Sequence, residues 1–159
     1  MVETFDDYLE YWTLSTDVIA GFPTETDEDH EKTMDLLRET RPEKLNVTRI
    51  SKRPGTDAAE MKGLGGQTKK DRSKALSELK MDIVGQAHEA MVGTEREVLL
   101  TEDGTDESLV GYDEAHRQVA LPNAQKQGLE IGDFVTVEIT GHNTVYAMGT
   151  PCEVAPRPR

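Results

Sequence analysis

The chain has 159 residues, room for one ordinary domain or two small ones, and its aromatic share of 5% limits the core that either could build. Its net charge of −13 argues against nucleic-acid binding by the surface as a whole, because phosphate contact draws its free energy largely from Lys and Arg. No apolar run reaches the roughly eighteen residues that a membrane span needs, and the N-terminus is acidic where a signal peptide would be basic and then apolar, so the chain reads as cytoplasmic with no membrane partner.

The single cysteine, Cys152, excludes an internal disulfide and any cluster or zinc site built from several thiolates of this chain. His30, His88, His116 and His142 are scattered, so no metal ligand is assigned. The charge is also segregated. From Arg49 to Lys74 there are eight basic residues against three acidic ones, whereas the rest of the chain holds ten against twenty-eight. An acid-rich surface of this kind is expected of a halophilic source, where carboxylate hydration keeps the protein in solution and salt screens repulsion.

Thr13 to Ala20 reads as a short strand stopped by Gly21-Phe22-Pro23-Thr24. Thr26 with Asp29 three residues on approximates a capping box, and His30, Met34 and Leu37 recur at helical spacing until Pro42. Leu45 to Ser51 reads as a second strand, which makes a βαβ unit with parallel strands and open edges. Gly63-Leu64-Gly65-Gly66 lacks the Lys-Ser or Lys-Thr of a phosphate loop and reads as a connector. A helix from Lys69 to Met91 follows, with Leu76, Leu79, Ile83, Ala87 and Ala90 as its apolar stripe. From Val92 onward, alternating segments near Arg96 to Thr101, Ser108 to Tyr112, Arg117 to Leu121, Phe134 to Thr140 and Tyr146 to Glu153 suggest a small five-stranded barrel. Val135, Val137 and Ile139 should face inward.

Ser15-Thr16-Asp17-Val18-Ile19-Ala20-Gly21-Phe22-Pro23-Thr24-Glu25-Thr26 and then Ser51-Lys52-Arg53-Pro54-Gly55-Thr56 closely resemble two stretches of the radical S-adenosylmethionine methylthiotransferases. The segment from Val92 to Met148 resembles the TRAM domain that ends those enzymes, and within the family the resemblance is closest to the archaeal and eukaryotic branch that methylthiolates threonylcarbamoyladenosine beside the anticodon of tRNA. The resemblance implies an α/β region followed by an all-β one: residues 1–91 as a C-terminal fragment of the radical SAM (βα) barrel, and residues 92–159 as an OB-like TRAM barrel. It implies S-adenosylmethionine and a 4Fe-4S cluster in the full-length family. One Cys cannot supply the three thiolates of such a cluster, so this chain alone is expected neither to bind it nor to catalyse.

The resemblance places Ile19, Gly21, Phe22 and Glu25 beside the cofactor, with Arg53 facing the cofactor or the tRNA. The strand-end position of Gly21 agrees with ligand binding at the carboxyl ends of parallel strands. The family motif starts with Gly where this chain has Asp17, and Gly21-Phe22-Pro23 reads equally as a plain strand-to-helix turn. Lys62, Lys69, Lys70, Arg72 and Lys74 form a candidate phosphate-tracking patch. Tyr112, Arg117, His142, Asn143 and Tyr146 are candidates for base stacking and backbone contact on the barrel. The expected partners are a tRNA anticodon stem-loop and a separate chain carrying the cysteine-bearing half. An autonomous RNA-binding protein and a truncated remnant stand as alternatives.

Overall fold

A computed structural model of the chain describes residues 2–154. Its elements are α1 (Val2–Tyr8), β1 (Ser15–Ala20), α2 (Asp27–Thr40), β2 (Lys44–Arg49), α3 (Asp57–Glu60), α4 (Gly66–Met91), β3 (Glu95–Asp103), β4 (Leu109–Tyr112), β5 (Gln118–Leu121), β6 (Phe134–His142) and β7 (Ala147–Val154). A single 3-10 turn, Gln125–Gln127, lies between β5 and β6. The chain divides into two compact units, one of Leu14–Ile83 and one that joins the residues up to Thr13 with those from Val84 onward.

In the Leu14–Ile83 unit, β1 and β2 pair in parallel, Ser15 opposite Lys44 and Ala20 opposite Arg49. The expected capping box is present. Asp29 N–H donates to Thr26 Oγ1 at 3.1 Å while Thr26 N–H donates to the Asp29 carboxylate at 3.0 Å. That backbone donor, with the Thr26 hydroxyl, holds the Asp29 carboxyl below its ordinary range. α2 stops at Arg41, whose φ of 48° is left-handed, directly before Pro42. Ala20, Met34, Leu37, Leu45, Leu76 and Ile83 form the core, with Val18, Val47, Ala75 and Leu79 packed against it. The alternation of β1 thus turns Val18 and Ala20 inward and leaves Ile19 exposed.

The second unit contains a closed barrel in the order β3-β4-β5-β7-β6. Its interior is Val98, Leu100, Leu109, Val119, Leu121, Val135, Val137 and Ile139, each at most 1% exposed, with Met91, Ala124, Leu129 and Ala147 at its ends. β3 and β6 alternate cleanly between inside and outside, as expected. β4 packs so closely on β3 that a Cβ at Gly111 would collide with the Leu99 carbonyl. The expected stripe of α4 holds through Leu76 and Ile83 but not to its end: Ala90 is exposed, and His88 and Met91 are buried instead. Two short helices, α1 and α3, lack a periodic sequence pattern and were outside the expected element order.

The barrel interior makes a sharp prediction. Leu100→Ala removes a fully buried side chain from a closed core, so it should lower stability by about 3 kcal/mol in urea unfolding followed by circular dichroism.

Candidate cofactor and RNA-binding sites

The C-terminal end of β1 is organised by one arginine. Arg72, on α4, is 6% exposed. Its Nη1 lies 2.9 Å from Glu25 Oε2 and donates to the Glu25 carbonyl at 3.0 Å, and its Nη2 donates to Asp27 Oδ1 at 2.7 Å. Glu25 Oε2 in turn accepts the Gly21 N–H at 2.6 Å, and Glu25 Oε1 lies 3.7 Å from His30 Nδ1. Burial opposes the charge of Arg72, but the hydrogen bonds it donates to Asp27 and Glu25 outweigh it and hold the guanidinium pKa above its ordinary value. The turn from Gly21 to Glu25 is therefore clamped at both ends.

This arrangement corrects the expectation for Arg72. Its sequence neighbourhood places it among lysines as a phosphate contact, yet its guanidinium is buried and committed to two carboxylates. Lys70 is exposed, and Lys69 lays its stem over Gly21. Gly21 has φ of 80° and a Cβ there would strike that stem, so the position requires glycine for two reasons. Ile19 and Phe22 are exposed at 55% and 40%, beside the clamped turn. Arg53 is exposed in the loop after β2, where its carbonyl accepts from Thr56 N–H and Oγ1–H.

Strand directions gather the barrel candidates. β3, β5 and β7 begin at the end of the barrel where β4 and β6 finish, because β3 is antiparallel to β4 and β6 while β5 runs parallel to β7. Tyr112 ends β4, Arg117 precedes β5, His142 ends β6, and Asn143 and Tyr146 lie in the turn before β7. These five residues therefore share one barrel end. The opposite end has a cleft lined by Asp103, Gln125 and Glu130, among others, whose carboxylates repel phosphate.

At the shared end, Asn143 Oδ1 accepts the N–H groups of Val145 at 2.7 Å and Tyr146 at 2.9 Å. The Asn143 carbonyl lies 3.3 Å from the Nδ1 atoms of both His142 and buried His88. Tyr146 and His142 are half-buried. The Tyr112 ring sits 4.7 Å from that of His116, and its hydroxyl faces Glu102 Oε1 at 3.4 Å. Burial, and then the Glu102 carboxylate, push the Tyr112 hydroxyl above the ordinary tyrosine value. Arg117 Nη2 donates to the Trp12 carbonyl at 3.3 Å, and its N–H donates to Asp113 Oδ1 at 2.7 Å. Among the described residues, no three His, Cys, Asp or Glu side chains converge as a metal site, and the Cys152 thiol is exposed.

With this geometry in view, residues 89–151 match the TRAM domain family. A probable threonylcarbamoyladenosine tRNA methylthiotransferase of Archaeoglobus fulgidus is 36% identical over 94% of this chain and 34% of its own length. The chain matches the C-terminal part of the threonylcarbamoyladenosine tRNA methylthiotransferases and carries their TRAM domain. It spans between about a quarter and a third of the length of the curated relatives it matches. The Danio rerio threonylcarbamoyladenosine tRNA methylthiotransferase is 38% identical over 91% of this chain and 26% of its own. A tRNA-2-methylthio-N(6)-dimethylallyladenosine synthase of Aquifex aeolicus is 40% identical over 69% of this chain and 25% of its own. The chain also has a likeness, at a TM-score of 0.33 and 21% identity, to the solution structure of a conserved protein of Methanococcus maripaludis, over 39% of this chain and 80% of that one.

Two outcomes test the geometry. Arg72→Met leaves the Glu25 carboxylate and the turn without their clamp, so stability should fall on the order of 3 kcal/mol in chemical denaturation. In an alkaline absorbance titration of the four tyrosines, one should ionise later than an ordinary tyrosine, and Tyr112→Phe should remove that step. Because the fold favours neutral Tyr112, its contribution to stability is full below the ordinary tyrosine pKa and is lost as pH rises through the raised one.

Proposed function

We propose that this chain supplies the RNA-binding module, and one wall of the S-adenosylmethionine site, to the methylthiolation of threonylcarbamoyladenosine next to the tRNA anticodon. The observation that carries the RNA reading is the convergence of Tyr112, Arg117, His142, Asn143 and Tyr146 at the barrel end opposite the carboxylate-lined cleft. Small barrels bind single strands through such a combination of aromatic faces and cations, so bases stack while Arg and the lysines of the basic segment meet phosphates. The relatives named above are tRNA-modifying enzymes, which supports tRNA as the RNA bound.

For the adenosyl group, Ile19 and Phe22 fit as an exposed apolar surface at a parallel strand's carboxyl end. Glu25 fits as the brace of the turn rather than as a ligand, because its carboxylate already accepts from Gly21 and pairs with Arg72. Arg53 fits as a cationic contact from the next strand end, toward the cofactor or the tRNA. One cysteine does not fit a 4Fe-4S cluster, whose thiolates would come from another part of the enzyme or a separate chain. That cluster supplies the radical chemistry when bound; the residues of this chain bind and orient.

A second reading, an autonomous RNA-binding protein, is supported by the barrel's own closed core. Both readings are cytoplasmic and predict the same first result. A labelled anticodon stem-loop should bind the purified chain with an affinity that falls as salt rises. Lys70→Ala should reduce the log–log salt slope by about one, and Tyr146→Ala should weaken binding roughly tenfold at every salt concentration. Stem-loop affinity indifferent to both changes would remove this barrel end and the basic segment from the RNA site. Binding of S-adenosylhomocysteine that Phe22→Ala weakens separates the first reading from the second.

A further inference from the structure

Residues before β1 cover the same barrel end. Tyr11 places its ring over Arg96, with the guanidinium carbon 4.1 Å from the ring centroid, and the next carbonyl, that of Trp12, accepts from Arg117. Arg96, the second residue of β3, stands opposite Val137 and is 9% exposed beneath this cover. Its Nε–H is buried with no hydrogen-bond partner among the described residues. An aromatic ring satisfies the face of a guanidinium but not its N–H edge, and a buried donor without an acceptor is unfavourable.

We propose that Arg96 is a nucleotide-contacting residue of the barrel and that Tyr11 and Trp12 occupy its site in place of RNA. The proposal rests on the RNA-binding reading of this barrel end. The two contacts have the chemistry of a nucleotide: a planar ring stacked on one guanidinium, and an oxygen acceptor on another. A base would take the position of the Tyr11 ring. A phosphate oxygen would take that of the Trp12 carbonyl, replacing a neutral acceptor at 3.3 Å with a charged one that arginine binds more strongly. Base edges and phosphate oxygens also bring the acceptors that Arg96 Nε–H lacks.

The cover is lightly built. Tyr11 remains 38% exposed, and Trp12 leans on Phe5 at a ring separation of 5.3 Å, with Phe5 itself 42% exposed. The buried barrel core includes none of these three aromatic residues. RNA therefore competes with an internal segment, and measured affinity is reduced by the fraction of molecules in which the end is covered.

The test uses the full chain and a single-stranded oligoadenylate. Tyr11→Ala should raise affinity about fivefold, the scale of a cation–π contact, and Arg96→Gln added to it should return affinity to the wild-type level or below. Wild-type binding that Tyr11→Ala leaves unchanged would overturn the inference while sparing the RNA reading. So would a gain that survives Arg96→Gln. No binding by any of the proteins at low salt would overturn both.

Trp12, the only tryptophan of the chain, gives a readout that needs no variant. Saturating oligoadenylate should shift its emission to the red as the cover leaves the barrel. Binding with unshifted emission would show that RNA does not displace the segment, and would overturn the inference even if the variants failed to fold.

Discussion

The barrel depends on a short parallel junction. Val119 opposite Ala147 and Ala120 opposite Met148 join β5 to β7, and through them a sheet that would otherwise have two open edges becomes continuous. Closure does two things at once. It seals Val98, Leu100, Val135, Val137 and Ile139 from water, and it fixes which strand ends meet. Tyr112 and Arg117 flank the turn between β4 and β5, and His142 and Tyr146 flank the turn between β6 and β7, so the four come from two separate hairpins. Only the ring of strands makes them neighbours of one opening.

The Leu14–Ile83 unit solves a different problem with different means. Two parallel strands cannot close, so its order comes from packing α2 and α4 on one sheet face and from Arg72, which ties a helix to the turn after β1. A buried cation with two carboxylate partners is a poor source of net stability but a strong constraint on geometry. Here the constrained object is the turn from Gly21 to Glu25. The clamp fixes the backbone beside Ile19 and Phe22 whether or not anything is bound there.

Most of the architecture was legible in the sequence because it rested on local signals. Strand ends fell within a few residues of their expected places where glycine, proline or asparagine stood beside them, and Thr26 with Asp29 announced α2. The misses share a different cause, which is distance along the chain. Arg72 looked like its exposed neighbours Lys70 and Lys74, and nothing nearby disclosed that Glu25 and Asp27 wait for it some 45 residues earlier. Arg96 shares the inward phase of Val98 and Leu100, but nothing near it in sequence discloses its cover, since the ring over it comes from residue 11. His88 lies outside the expected α4 stripe, yet it is buried, with its Nδ1 3.3 Å from the Asn143 carbonyl in the turn before β7. Periodicity reports which face is apolar; it does not report which polar side chain a remote segment will enclose.

The turn at Asn143 carries one more consequence. Its side-chain oxygen is committed to two backbone donors, so the residue's acceptor half belongs to the hairpin and only its NH2 can serve a ligand. Aspartate would build the same turn equally well, since the turn asks only for the oxygen. At the mouth of the barrel, however, it would offer a second acceptor where asparagine offers a donor. The choice between these two near-identical side chains is therefore invisible to folding and decisive for the polarity that this end presents to an anion.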